Sequence, residues 1–227
     1  MLADVEVATE SWPATEFGAH MRSAALGTQV NAWLEHADGV RTAMDWRRWC
    51  SRPDAADGSV LMRVEGTTLD VGCGPGRLTV ALTARGHAVL GIDVTPDAVS
   101  LTRAAGGVAL HRSVFTHIPG EGRWDTVLLI DGNVGIGGDP VTLLRRVRQL
   151  LAPTGCALIE LEPPTTLGHV GPARIRRADW VVTSWFPWAR VPIGTIGGIA
   201  GAAGFVTREC WCVDGRWFTA LEPAPRR

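Results

Sequence analysis

The chain lacks a long basic run, an uninterrupted apolar run and a readable cysteine pattern. Its formal net charge of -1 offers polyanions no general attraction, and no local basic run replaces it, so nucleic acid is not an expected partner. The most apolar late stretch, residues 191–206, is broken by five glycines and falls short of the ~20 apolar residues of a spanning helix; no membrane partner is expected. Met1-Leu2-Ala3-Asp4 carries no basic segment leading into an apolar run, so no secretory leader is expected and a cytoplasmic location is. Cys50, Cys73, Cys156, Cys210 and Cys212 show no zinc spacing, and an odd number leaves no complete disulfide framework. Cys210 and Cys212 share one face of an expected strand, where packing is the commoner role, so no metal is expected. What is present is enough for a sizeable core: of 227 residues, 46% are hydrophobic and 20% charged, which suits one large domain or a core with a small appendage.

The chain is organised around Leu69-Asp70-Val71-Gly72-Cys73-Gly74-Pro75-Gly76. Residues 67–71 read as a buried strand, the alternating glycines as a tight turn, and residues 77–82 as the start of a helix. A loop without bulky side chains lets a ligand touch the backbone, and the amides of a helix start face its polar edge. The next strand, Ala88-Val89-Leu90-Gly91-Ile92, ends at Asp93, followed by Thr95-Pro96 as a cap with first-turn proline. In an open parallel sheet ligands bind outside the carboxyl ends of the strands, and an acid ending the second strand accepts from both hydroxyls of a ribose.

These residues resemble the class I S-adenosylmethionine-dependent methyltransferases. Their acid followed by Gly-x-Gly-x-Gly matches Asp70 to Gly76, and their ribose-binding acid matches Asp93. A dinucleotide fold spaces its glycines Gly-x-Gly-x-x-Gly to approach a pyrophosphate; Gly72, Gly74 and Gly76 favour a nucleoside without phosphates over an NAD-type enzyme. The resemblance implies a Rossmann-like α/β methyltransferase sandwich, with a mostly parallel seven-stranded sheet and an antiparallel final strand. It implies S-adenosyl-L-methionine along Asp70, Gly72, Cys73, Gly74 and Gly76, with the ribose at Asp93 and with Val94 among the cofactor-binding residues. Adenine is then expected near Ser113 and Val114, and the methionine end near Asp70 and Asp131. The family often has an acid after its third strand; Ser113 stands in that neighbourhood here. The resemblance extends to small actinobacterial-type methyltransferase-domain proteins carrying Asp-Gly-Asn-x-Gly-Ile-Gly-Gly, found here at 131–138.

Residues 124–130 read as a fourth strand that delivers Asp131-Gly132-Asn133 to the ligand side. Asn133 is expected to orient an acceptor or bind the methionine end; alternatively Asp131 and Asn133 cap turns through their own side chains. The segment lacks the prolines and aromatic of an Asn-Pro-Pro-Tyr-like motif, which weakens DNA-base or glutamine methylation. A magnesium-dependent catechol enzyme needs several converging oxygen ligands, and no third one is assignable beside Asp131 and Asn133. Glu160 and Glu162 alternate onto one side of the next strand end, making Glu162 a candidate base. His20 is the other candidate, since its ordinary pKa of ~6.5 leaves it largely neutral near pH 7. His36 has no evident partner and is expected to face solvent. Trp185, Trp188 and Arg190 are expected to line an acceptor pocket, with Arg190 recognising a carboxylate or phosphate.

Residues 1–62 are expected to form a helical amino-terminal cap, with helices at 17–33 and 40–50, and residues 63–227 the methyltransferase core. Within that core, 168–191 is a substrate-side insertion in which 174–176 and 180–182 form a short extended pair. Residues 205–213 and 216–221 read as final strands joined at Asp214-Gly215, a strong hairpin signal. The apolar cap or the final hairpin offers a homodimer surface. The expected activity is methyl transfer to oxygen or nitrogen of a small, partly aromatic metabolite of specialised biosynthesis; the competing reading is a noncatalytic cofactor-binding or structural protein.

Overall fold

A computed structural model describes residues 12–28, 30–178 and 180–225. The first eleven residues of the expected cap lie outside the described residues. Among the described residues the first elements are α1 (Ala14–Ala25), the strands β1 (Trp33–His36) and β2 (Arg41–Ala43), then α2 (Trp46–Trp49) and α3 (Ala55–Leu61). The alternating unit follows: β3 (Thr68–Val71), α4 (Arg77–Ala84), β4 (Val89–Asp93), α5 (Pro96–Ala104), β5 (Ala109–His111), β6 (Trp124–Leu129), α6 (Pro140–Leu150) and β7 (Leu151–Leu161). Three strands then leave the core, β8 (His169–Arg177), β9 (Trp180–Val181) and β10 (Phe186–Arg190). The chain ends with α7 (Ile196–Ala203), β11 (Phe205–Val213) and β12 (Arg216–Pro223).

Seven strands form the main sheet in the order β11-β12-β7-β6-β3-β4-β5. β3 to β7 run parallel to one another, and β12 lies antiparallel to both β7 and β11. The apolar run of β6 explains why both faces are covered, since alternation sends successive side chains to opposite sides. Val127 and Leu129 join one core with Leu143, Leu144, Val147 and Leu150 of α6. Leu128 and Ile130 join the other with Val60, Leu61, Leu78 and Leu82 of α3 and α4. The stripe on α6 is held in register by Asp139, whose carboxylate accepts from the Val141 and Thr142 amides at 3.0 Å each, ahead of the first-turn Pro140.

The amino-terminal segment is not purely helical. β1 and β2 pair as a hairpin, and β1 also pairs antiparallel with β8, giving a second sheet in the order β10-β8-β1-β2 with β9 on β8. The expected helix at 17–33 therefore ends at Ala25, and that at 40–50 shrinks to Trp46–Trp49. The physical reason is Asp38-Gly39: Asp38 Oδ1 accepts from the Val40 amide (3.1 Å) and Gly39 takes φ +83°, which turns the chain back on itself. Glu35 then ties the strands together by accepting from Arg41 (3.0 Å) and Arg174 (2.6 Å). α3, by contrast, packs on the core, so residues 14–62 contribute to two separate layers. The expected pair within the insertion is present as Arg176 opposite Val181 and Arg177 opposite Trp180.

The second sheet roofs the carboxyl ends of the main-sheet strands. A third apolar cluster, including Met21, Trp46, Ile175 and Phe186, binds α1 and α2 to its underside. β10 lies directly on the loop after β6, where Ile136 bridges Trp188. That contact explains the glycines of the loop: a Cβ at Gly135 would run into the Ala189 carbonyl, and one at Gly138 would stand 2.9 Å from Pro187 Cβ.

Candidate functional site

Floor and roof enclose a cleft of about 380 Å³. Its floor is the loop Val71 to Pro75 with the ends of β4 to β7, and its roof comes from β1, β2, α2 and β10. The loop is pinned from two sides. The Gly72 and Cys73 amides donate to the Ile92 carbonyl (2.8 and 3.0 Å), while Asn133 Nδ2 donates to the Val71 and Gly72 carbonyls (2.9 and 3.0 Å). Gly72 takes φ +70°, and a Cβ there would collide with Asn133, so the position needs glycine for both reasons.

Asp93 accepts from the Gly74 amide on Oδ2 (3.0 Å) and from the Thr95 amide on Oδ1 (2.8 Å). A carboxylate has about four lone-pair positions, so each oxygen keeps capacity toward the cleft it lines. Burial pushes its pKa up, against the pull of those amides. Asp70 is 3% exposed and accepts from Thr79 Oγ1 (2.7 Å); burial pushes it up to about 6, and Asp131 and Asp93 add to the effect. Val94, Cys73, Ser113 and Val114 line the same end. Ser113 Oγ accepts from the Phe115 amide (3.3 Å), and burial holds the Cys73 thiol well above its ordinary range, which makes it a wall rather than a nucleophile.

Asp131 carries the densest electrostatics of the cleft. Its φ is +59°, its amide donates to Glu160 (2.8 Å), and its carboxylate meets Arg48 (2.9 Å), Arg77 and Arg216 (3.5 Å). Arg77 continues to the fully buried Asp57, and Arg216 to Asp54, Asp57 and Glu160. Arg48, Arg77 and Arg216 were not foreseen from sequence, because the partner they share lies 83, 54 and 85 residues away along the chain.

At the roofed end stand Glu162, Trp188, Arg190 and His36. Burial and Glu160 push the Glu162 pKa up, with Arg190 opposing. Trp188 stacks on Trp12 at 5.6 Å between ring centroids. Arg190 is 4% exposed; its Nε donates to the Leu167 carbonyl (2.8 Å) and Nη2 to Asp38 (2.7 Å).

Four expectations take a different form in the structure. His36 is 2% exposed and lines the cleft instead of facing solvent, because it ends a strand of the roof. His20 lies outside the cleft lining, packed against Trp46 (5.5 Å between centroids), where burial lowers its pKa. Trp185 is 43% exposed and carries the Arg174 guanidinium on its ring (4.3 Å), also away from the cleft. Gly76 faces α5: a Cβ would meet Thr102 at 2.9 Å, so this glycine serves close approach of the helix and not the ligand wall. Among the described residues no group of three or more His, Cys, Asp and Glu side chains is arranged to hold a metal ion, and no helix is long and apolar enough to cross a membrane.

Residues 68–155 match the family model described as "Methyltransferase domain". An S-adenosylmethionine-dependent methyltransferase from Bacteroides fragilis, solved with S-adenosyl-L-homocysteine, is similar with a TM-score of 0.77 and 22% identity, covering 94% of this chain and 98% of its own. The 1,6-didemethyltoxoflavin-N1-methyltransferase of Burkholderia thailandensis, solved with 1,6-didemethyltoxoflavin and S-adenosylhomocysteine, has a TM-score of 0.57 at 19% identity, covering 74% of this chain and 76% of its own. A methyltransferase from Methanosarcina mazei has 0.61 at 13%, covering 78% and 100%. The similarity thus spans several bacterial and archaeal lineages and is not specifically actinobacterial. The chain has the class I S-adenosylmethionine-dependent methyltransferase fold, and its residues 68–155 match the methyltransferase-domain model.

Proposed function

We propose that this protein binds S-adenosyl-L-methionine and directs its methyl group to an oxygen or nitrogen of a small, partly aromatic metabolite. The observation that carries the reading is one continuous cleft, which runs from Asp93 and the glycine loop to an aromatic, polar chamber under the second sheet. Asp93 takes the ribose hydroxyls, Val94, Ser113 and Val114 hold the adenine, and the Cys73-Gly74 backbone approaches the nucleoside. Asp70 and Asp131 receive the ammonium group, and Arg48, reaching down from the roof, takes the carboxylate. The sulfonium supplies an already activated methyl group. The chain's own task is therefore to align the acceptor, exclude water and remove a proton where the acceptor loses one. Glu162 suits that last step, because burial raises its basicity where it faces the chamber. Asn133 contributes by pinning the glycine loop, and Trp188 by offering an apolar face to a planar acceptor.

The same reading places the enzyme in the cytoplasm, in specialised metabolism, with residues 63–227 as its catalytic core. Its exposed edge strand β11 supports the homodimer, which light scattering would test. Calorimetry with S-adenosylhomocysteine tests the cofactor, and metabolite extract incubated with isotopically labelled S-adenosylmethionine tests the transfer. A labelled small molecule is the expected product. Cofactor binding with no labelled product across a broad acceptor panel would instead favour the noncatalytic reading.

A further inference from the structure

Two buried side chains at the roofed end of the cleft each leave a nitrogen without a partner. Arg190 uses Nε and Nη2 within the protein, but Nη1 meets nothing. His36, 2% exposed, leaves Nδ1 unpartnered. Both residues line the cleft. The second sheet puts both on one face: His36 of β1 stands opposite Ala173 of β8, and Arg190 of β10 stands opposite His169, four residues earlier on β8, so the link between them runs through His169. Asp38, in the turn after β1, completes the cluster by accepting from Arg190 Nη2 (2.7 Å) and facing His169 Nδ1 (3.5 Å). The rings of His36 and His169 meet edge to face at 5.6 Å.

Buried donors without acceptors are costly to a fold, and two of them in one cavity wall are accounted for by a ligand that satisfies both. Given the methyl-transfer reading above, on which this inference rests, we propose that His36 and Arg190 together bind a carboxylate carried by the aromatic acceptor. Arg190 Nη1 and a His36 ring N–H each donate to a carboxylate oxygen, while the acceptor ring lies against Trp188. A dianion such as phosphate fits less well, because Asp38 already neutralises Arg190 and Glu162 adds a further carboxylate nearby. Burial and Arg190 push His36 down to about 4, so near neutral pH it is an uncharged donor; the other groups facing it are Asp38 and His169. A bound carboxylate raises that value, so binding takes up a proton and tightens as pH falls from 7 toward 5.

The test is calorimetry on the full chain saturated with S-adenosylhomocysteine, titrated with the three hydroxybenzoates, the matching hydroxybenzamides and phenol. At least one hydroxybenzoate is expected to bind tenfold or more tightly than its amide and than phenol. Arg190→Met and His36→Phe should each abolish that preference with S-adenosylhomocysteine affinity unchanged, and His36→Gln, which keeps a donor, should retain most of it. If Arg190→Met does not fold because Asp38 loses its partner, the two His36 variants carry the test. Equal binding of acid and amide, or a preference that survives His36→Phe, overturns the proposal. Failure of folded protein to bind S-adenosylhomocysteine overturns the methyl-transfer reading instead, and so the two failures are distinguishable.

Discussion

Asp93 does two things with one carboxylate: it orders the glycine loop through the Gly74 amide and presents an acceptor to the cleft. Asp93→Ala removes both, so S-adenosylhomocysteine affinity should fall by about 10- to 100-fold, the equivalent of about 1.4–2.7 kcal/mol, as read by calorimetry. An unchanged affinity would remove Asp93 from the ribose site. His36 sets a different test. Its folded pKa is pushed down to about 4 from an ordinary 6.5, mainly by burial, so the unfolded chain binds its proton first. The contribution is fully present above pH 6.5 and is lost as pH falls through 6.5 toward 4, by up to about 3 kcal/mol. The drop in stability between those pH values, measured by urea unfolding, should be clearly smaller in His36→Phe than in the parent protein.

Between elements, the loop after β6 and strand β10 touch with almost no space. Gly135→Ala places a methyl group against the Ala189 carbonyl and the Trp188 ring, so one backbone must shift. The expected cost is about 1–3 kcal/mol of stability together with weaker ligand binding, since the displaced strand carries Trp188 and Arg190. Gly198→Ala, on the exposed face of α7 with nothing within 4 Å, should instead stabilise by about 0.5–1 kcal/mol, and thermal unfolding of the pair separates contact from propensity. The main sheet was legible because the strands around the glycine loop and after it are short, buried and rich in Val, Leu and Ile, and Asp214-Gly215 announced the last hairpin. Asp38-Gly39 carries the same turn signal, yet its flanking strands are short and rich in charge, and the strand that stabilises them, β8, comes more than 130 residues later. For the same reason Gly72 and Asp93 could be read from local order, whereas His36 and Arg48 gain their positions only through Ala173 and Asp131.

Across the whole molecule, Arg77 and Arg216 join α3, the loop after β6 and β12 through Asp57 and Asp131. The chain has no lysine: its 22 permanently cationic side chains are all arginine, whose planar fork can serve two carboxylates at once. Arg77→Met leaves the fully buried Asp57 with Arg216 as its one cationic partner among the described residues, besides the Asp54 amide, and should cost about 3–5 kcal/mol, read as a lowered urea midpoint; a change under 1 kcal/mol would mean that the network is only surface-like in strength. The second sheet also has a temporal meaning. Its first two strands emerge from the ribosome at residues 33–43, but the strands that hold them are made only at 169–190. Nascent chain reaching residue 161 has already produced every parallel strand of the floor and the glycine loop. Closing a loop of well over a hundred residues is slower than packing neighbours. The Asp93 and glycine-loop end of the cleft can therefore be assembled early in synthesis, while its roofed end comes into being late, when β8 and β10 arrive to clasp a hairpin made more than 120 residues before them.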